Sequence, residues 1–173
     1  GWRPNDPLLD SEWGLARIGV AEAWDVTRGD SSLIVAVLDT GIDTNHPDLQ
    51  GQFVGGWDFV GKDSVPQDDN GHGTHVSGLV AAAADNGRGI SGVAPGARVM
   101  PIKVVTATGI GSHLQIAQGI EYAVHNGARI LNLSLGGSEP SETLRRAVAY
   151  AWDSGALVVA AAGNENSSAP VYP

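Results

Sequence analysis

The sequence predicts an α/β protein built around a parallel sheet. Its 173 residues, 42% hydrophobic and only 17% charged, suit one core-forming domain. Four short apolar runs alternate with segments of helical periodicity, and this order is typical of parallel sheets with right-handed crossovers. The first and last runs are apolar on both faces, as expected of strands buried inside such a sheet. Together these features predict that the chain contributes to a single α/β domain.

The predicted strands follow from the positions of the apolar runs. They lie at residues 33–38, 98–105, 129–134 and 156–162. A first helix is predicted over 72–84, where the residues are small and apolar.

A second helix is predicted over 112–126, because Ser112 and Gln115 have the spacing of a capping box and Gly127 is a stop signal. Its apolar face is predicted to contain the following residues: Leu114, Ala117, Ile120 and Val124. The third helix begins after Pro140 and ends at Gly155. Its predicted apolar positions are Leu144, Ala147, Val148, Ala151 and Trp152.

Composition restricts the possible partners and chemistry. Ten basic and nineteen acidic residues give a net charge of −9, which argues against nucleic acid or an anionic membrane as the main partner and suits cations, including metal ions. The absence of cysteine excludes disulfides, thiolate metal sites and a cysteine nucleophile. No apolar run approaches the length of a membrane-spanning helix. Residues 1–6 lack an apolar targeting core, so we expect a mature or trimmed N-terminus.

Polar residues collect where the predicted strands end. Asp39 follows the first strand, Ser134 the third and Asn164 the fourth, while His72 begins the first helix. Ligands of parallel α/β sheets bind beyond the carboxyl ends of the strands. An acid, an imidazole and an amide are therefore predicted to converge on one rim.

Each of these residues has more than one interpretation. Asp39 in Asp-Thr-Gly could cap a turn, act in an aspartic protease or orient the histidine of a triad; an aspartic protease would need a second aspartate and an all-β fold. Glycines on both sides of His72 indicate a close approach, and a metal pair with His75 lacks a third ligand, so His75 is interpreted as structural. Asn164 fits a turn or an oxyanion donor equally well.

A partial phosphate-loop pattern does not hold. Residues 56–62 match its beginning, but Asp63 stands where the loop needs Ser or Thr, and Trp57 and Phe59 are too bulky to surround phosphate.

Several motifs together resemble the subtilisin-like serine endopeptidases. The resemblance rests on the following motifs: Val35–Asp43, His46–Leu49, the glycine-flanked block around His72, Ser134–Gly137 and Ala161–Asn164. Asn5–Pro7, Gly55–Val60 and Ala149–Trp152 are similar to the thermitase-like branch. The likeness runs from Pro4 to Pro173 in family order, and it implies a three-layer αβα fold with a mainly parallel central sheet.

The resemblance also implies roles for individual residues. Asp39 would be the triad acid, His72 the general base and Asn164 the side chain of the oxyanion hole. Two backbone edges would hold an extended protein or peptide substrate: Gly109, Ile110 and Gly111 on one side, and Ser134, Leu135 and Gly136 on the other. The walls and rim of the primary specificity pocket would be Ala161, Ala162, Gly163 and Glu165.

The family's serine motif, Gly-Thr-Ser-Met-Ala-x-Pro, does not occur in the 173 residues. Ser134, Ser154 and Ser167 all lack its context. The resemblance therefore implies that residues 1–173 are an N-terminal part of one subtilisin-like peptidase domain, partnered by the C-terminal remainder and inactive without it. It implies a secreted enzyme. A non-catalytic scaffold for peptide binding or folding is the alternative.

Calcium is the cofactor implied by the resemblance. A tight site would use the side chains of Asp6, Asp48 and Asn86 and the carbonyls of Ala83, Arg88 and Ile90; hard oxygen ligands from separate segments suit calcium. A second site would use Asp58, Asp63, Gln67 and the carbonyl of Val65. Gly61 stands where the thermitase-like branch has another aspartate and Lys62 adds positive charge, and both weaken this second site.

Overall fold

A computed structural model describes residues 1–173. The strands are β1 Ile34–Asp39, β2 Trp57–Asp58, β3 Arg98–Lys103, β4 Ile130–Leu133 and β5 Leu157–Ala160. The helices are a 3₁₀ turn at Leu9–Ser11, α1 Trp13–Arg17, α2 Val20–Trp24, α3 His72–Ala81, α4 His113–His125 and α5 Glu142–Asp153. All strand pairs are parallel, in the order β2-β3-β1-β4-β5, which confirms the predicted α/β class.

The sheet is covered by helices on both faces. Successive residues of a strand point to opposite faces. Ala36 and Leu38 of β1 join a 17-residue core with α4 and α5, whereas Val37 joins a smaller cluster with Leu49 and with Ala81 of α3. The architecture thus has three layers, with α3 on one face of the sheet and α4 and α5 on the other.

Helix α4 begins as its sequence predicts. The Ser112 hydroxyl accepts a hydrogen bond from the Gln115 amide, and the Gln115 side chain accepts one from the Ser112 amide, which completes the capping box. Gly127 follows the helix in the left-handed region, with φ +87°. Helix α3, by contrast, ends at Ala81 rather than residue 84, since the Ala83 amide donates to the Asp48 carbonyl and joins a loop.

Two residues that were predicted on the apolar faces of their helices are exposed. Leu114 of α4 is 60% exposed and Trp152 of α5 is 68% exposed. The buried side of α4 instead contains Ile116 and Ile120, which are one turn apart. In α5, Ala151 takes the buried position and Trp152 falls beside it. Small residues next to the sheet let these helices approach it closely and leave the larger neighbours outside.

Strand β5 lies at the edge of the sheet rather than inside it. It pairs only with β4 and forms one edge of the sheet, so Leu157 is 49% and Val159 46% exposed. The other edge is β2, a strand of two residues that the sequence analysis missed because two residues show no periodicity. Helices α1 and α2, of five residues each, were missed for the same reason. None of the helices combines the length and apolar character needed to cross a membrane.

The capping box of α4 allows a direct stability test. Replacing Ser112 with Ala leaves the amide of Gln115 without its acceptor, and we expect a loss of about 1 kcal/mol in the free energy of unfolding, measured by urea denaturation. The control Ser112→Asp retains an acceptor and should unfold near the wild-type midpoint. Equal stability of Ser112→Ala and wild type would show that the cap contributes nothing.

Candidate active site

The end of β1 and the beginning of α3 bring Asp39 and His72 into contact. Oδ1 of Asp39 lies 2.7 Å from Nδ1 of His72 and also accepts the Thr40 amide at 2.7 Å. Asp39 is only 2% exposed, whereas the His72 side chain is 49% exposed. A carboxylate can only accept, so Nδ1 carries the proton and Nε2 is left with a free lone pair. This is the arrangement of an oriented general base.

Two glycines permit this close approach. A Cβ on Gly73 would lie 2.2 Å from the carbonyl oxygen of Gly41, and a Cβ on Gly41 would lie 2.5 Å from the carbonyl oxygen of Pro66. Gly41 also has φ +112°, in the region that favours glycine. Any larger residue would separate the first turn of α3 from the end of β1. The glycines around His72 therefore mark a close approach, as the sequence predicted.

A carboxylate that the sequence analysis overlooked holds the same junction. Asp68 accepts hydrogen bonds from the amides of Asn70, Gly71 and Thr74 and from the Thr74 hydroxyl. Partial burial alone would raise the pKa of Asp68, but these hydrogen bonds hold that pKa well below its usual range.

Thr40 connects the Asp68 carboxylate to the pair formed by Asp39 and His72. Its hydroxyl donates to Asp68 at 2.8 Å and accepts from the Gly73 amide at 2.9 Å. The residue next to Asp39 is thereby bonded to the residue next to His72.

Two adjoining clefts contain most of the predicted site. A cleft of about 320 Å³ is lined by Asp39, Thr40, Asn70, His72, Val105, Gly109, Ser134, Leu135 and Gly136. A larger cleft of about 520 Å³ includes Ala161, Ala162, Gly163, Asn164 and Glu165. The two share Ser134, Leu135 and Gly136, so the predicted oxyanion donor and the predicted base open onto connected space.

Asn164 is exposed, and its side-chain amide forms no hydrogen bond within the chain. Its backbone amide donates to Glu165 at 2.8 Å. The side-chain N–H groups are therefore free to meet a ligand.

The remaining part of the predicted peptide-binding edge lies beside the smaller cleft. Gly109 lines it, but Ile110 and Gly111 do not. Ile110 is 69% exposed and belongs to a turn in which its carbonyl accepts the Thr106 amide.

No serine of the chain is bonded to His72. Ser134 is the one serine that lines the smaller cleft, and its hydroxyl accepts a hydrogen bond from the side chain of Asn132 at 2.9 Å. Ser154 follows α5, and the Ser167 hydroxyl accepts the Ala169 amide. Within residues 1–173, the His72 ring is thus hydrogen-bonded to Asp39 and to no serine hydroxyl.

The structure brings the proposed calcium side chains together. Asp6 and Asp48 are only 5% and 4% exposed, and no Lys or Arg side chain pairs with either. Asp6 accepts the Asn86 amide at 3.1 Å, and Asp48 accepts the Asn86 side chain at 2.8 Å and the Ile90 amide at 2.9 Å. A Cβ on Gly89 would lie 2.2 Å from Asp48, so the loop fits tightly around that carboxylate.

The rest of this donor set also suits a hard cation. The backbone carbonyls of Ala83, Arg88 and Ile90 accept no hydrogen bond within the chain. No three Asp, Glu, His or Cys side chains converge closely enough to hold a metal by themselves, so amide and carbonyl oxygens are required. Glu12 lies near these two carboxylates. Its burial, together with the charges of Asp6 and Asp48, raises the pKa of Glu12, although the hydrogen bond from the Ser91 amide acts in the opposite direction. Its Oε1 is buried without a hydrogen-bond partner.

The second proposed calcium site is only partly assembled. Asp58 and Asp63 exchange backbone hydrogen bonds, and a Cβ on Gly61 would lie 2.9 Å from the former and 3.4 Å from the latter carboxylate. Val65 lies close by, since its amide donates to Asp63. Gln67, however, accepts a hydrogen bond from Thr44, outside this turn.

Comparison with known proteins shows the family to which the chain belongs. A profile described as the Subtilase family matches residues 30–173. The chain belongs to the subtilase family. Thermitase of Thermoactinomyces vulgaris is 47% identical over 99% of the chain and 62% of its own length, and Subtilisin Savinase of Lederbergia lenta is 48% identical over 93% and 58%. A solved structure titled as proteases from Pseudoalteromonas arctica PAMC 21717 superposes with a TM-score of 0.87 at 35% identity, covering 94% of this chain and 60% of that one.

This subtilase chain therefore spans about 60% of the length of these relatives. The matches confirm the resemblance to subtilisin-like enzymes and to the thermitase-like branch, and they confirm the subtilisin-like α/β fold. The roles of individual residues remain predictions.

The low pKa of Asp68 makes the junction sensitive to acid. A free aspartate has a pKa of about 3.9, so the carboxylate stabilises the folded junction above that pH and this contribution is lost as the pH falls toward the lower, folded-state pKa. We expect hydrogen exchange at Gly71 and Thr74 to accelerate below about pH 4, beyond its intrinsic pH dependence. Asp68→Asn should exchange faster at neutral pH and lose this acid transition. The same transition in Asp68→Asn would assign it to another group.

Proposed function

We propose that residues 1–173 supply the acid, the base and an oxyanion donor of a subtilisin-type serine endopeptidase. The observation that carries the proposal is the 2.7 Å contact between buried Asp39 and Nδ1 of half-exposed His72. It leaves Nε2 free at a cleft that joins the one containing Asn164. Family membership and the similarity to Subtilisin Savinase support the same conclusion.

In the proposed reaction, Nε2 of His72 accepts the proton of a serine hydroxyl as its oxygen bonds to the peptide carbonyl carbon. Asp39 then stabilises the imidazolium through Nδ1–H. His72 returns the proton to the departing amine as the C–N bond breaks, which completes acyl transfer to serine. Water repeats the sequence and releases the acid. The second oxygen of Asp39 is buried without a hydrogen-bond partner. The positive charge that develops on the His72 ring would therefore also stabilise the buried negative charge of Asp39.

The substrate would be an extended protein or peptide segment. Ser134, Leu135 and Gly136 separate the two clefts and present backbone groups to both. A strand laid along them would place its side chain toward the larger cleft and its carbonyl toward Asn164. Glu165 on that cleft would favour cationic or polar side chains through its charge.

The nucleophile would come from outside residues 1–173. Ser134 is already hydrogen-bonded to Asn132, and no serine contacts His72. We therefore infer that the C-terminal remainder of the same enzyme is a partner of this chain, that the chain forms part of one peptidase domain, and that it is inactive alone. Secretion, also inferred from the family, belongs to the same proposal.

Calcium is the proposed cofactor of the tight site. Two buried carboxylates without a cationic side chain, together with three unbonded carbonyls, form a donor set that a calcium ion would satisfy. Asn86 now turns its amide nitrogen toward Asp48, so ion binding would require its oxygen to replace that nitrogen. Bound calcium would fix the loop at 83–91 next to α3. The second site, around Asp58 and Asp63, would bind more weakly because Gln67 is engaged elsewhere and Lys62 is positively charged.

Kinetics of the chain joined to its C-terminal remainder test the proposed activity. Asn164→Ala should lower kcat by about 10²–10³, the loss that removal of this donor causes in subtilisin. KM should change little, since the donor serves the oxyanion more than the ground-state carbonyl. Asp39→Ala and His72→Ala should lose more. The unjoined chain serves as the blank and should show no turnover; turnover by it, or an Asn164→Ala effect confined to KM, would refute these roles.

Thermal denaturation tests the calcium proposal without any activity. Calcium should raise the Tm of the wild-type chain by mass action, and Asp48→Ala should abolish the rise because a buried ligand is lost. Asp58→Ala is the matched control and should retain it. If Asp48→Ala keeps the full shift while Asp58→Ala loses it, the second site is the tighter one and the assignment is wrong.

A further inference from the structure

A buried lysine lies directly behind the Asp39–His72 pair. Lys103 ends β3, is only 3% exposed and directs its ammonium group to three oxygens. These are the Thr40 carbonyl at 2.7 Å, the Asp69 carboxylate at 2.6 Å and the Val105 carbonyl at 3.3 Å. An ammonium group is costly to bury and persists only when its donors are satisfied. The three oxygens are therefore held at fixed positions around it.

The sheet register places this ammonium beside the backbone of Asp39. Asp39 and Lys103 are paired residues of the parallel strands β1 and β3, so their side chains lie on the same face, the face covered by α3. The Asp39 carbonyl accepts the amides of Val104 and Val105, and Lys103 bonds to the carbonyls of Thr40 and Val105. The ammonium group thus joins the backbone just beyond the end of β1 to the backbone just beyond the end of β3.

The third bond reaches the segment that leads to His72. Asp69 comes three residues before His72, and its carboxylate is half exposed. The next residue, Asn70, donates its side-chain amide to the Ala107 carbonyl at 2.8 Å and accepts the His72 amide. The segment is thus attached on one side through Asp68 and Thr40 and on the other through Lys103.

We propose that Lys103 is a positioning residue for the Asp39–His72 pair, an inference that rests on the proposed function. Its ammonium group joins the end of β1 to the segment before α3, and so fixes the imidazole relative to the carboxylate. Without it, the segment can move away from Asp39 while the rest of the sheet remains folded. The lysine touches neither substrate nor the reacting atoms.

NMR of the 173-residue chain tests this inference independently of proteolysis. The Nδ1 proton of His72, hydrogen-bonded to Asp39, should give a low-field resonance at mildly acidic pH, and Asp39→Asn should remove it. Lys103→Met keeps most of the side-chain volume without the ammonium group. We expect it to broaden or lose this resonance, while the amide signals of β4 and α5 stay unchanged. A wild-type resonance in a folded Lys103→Met chain would overturn the inference.

Two further variants keep the test decisive. Ile102→Val alters the same strand on the opposite face and should leave the resonance intact; its loss there would show general loosening and overturn the specific role. If Lys103→Met fails to fold, Asp69→Ala replaces it, since Asp69 is half exposed and its removal breaks the same link. An unchanged resonance in Asp69→Ala would also overturn the inference. Absence of the resonance from wild type would instead refute the Asp39–His72 pair, so the two failures are distinguishable.

Discussion

The buried negative charge of Asp39 is the constraint on which the site depends. At 2% exposure it has lost most of its hydration, and its compensation comes from the Thr40 amide and the His72 ring. Hydrogen bonding to only one of its two oxygens leaves a residual demand for positive charge. In the proposed reaction, the imidazolium formed at His72 would supply that charge.

The surrounding structure serves to keep these two residues together. Parallel pairing of β1 with β3 places Asp39 at the end of the sheet, and the packing of α3 on that face brings His72 above it. Gly41 and Gly73 permit the approach, and Asp68 fixes the segment between them. The tight-site loop follows α3 directly, so an ion bound there would support the same helix from its other end.

The sequence predicted the parts of this structure that depend on local patterns. Apolar runs located four strands, and the Ser112 capping box located the start of α4. Because ligands bind beyond the carboxyl ends of parallel strands, the sequence also predicted that Asp39, His72 and Asn164 lie at one rim. Leu114 and Trp152 were misplaced because helical periodicity does not say which of two neighbouring residues meets the sheet. Strand β2 and the contacts of Asp68 and Lys103 depend on segments distant in sequence, which no local pattern encodes. A lysine among the apolar residues of the predicted strand 98–105 was the visible signal for the contacts of Lys103.

We propose that residues 1–173 hold the base and its orienting acid, while the serine they activate lies elsewhere in the enzyme. Fluorophosphonate labelling of the chain joined to its C-terminal remainder, followed by mass-spectrometric mapping of the modified serine, tests this proposal most directly. We expect the label to fall outside residues 1–173 and to disappear in the His72→Ala variant. A specific label on a serine within residues 1–173, such as Ser134 in the cleft beside His72, would contradict it.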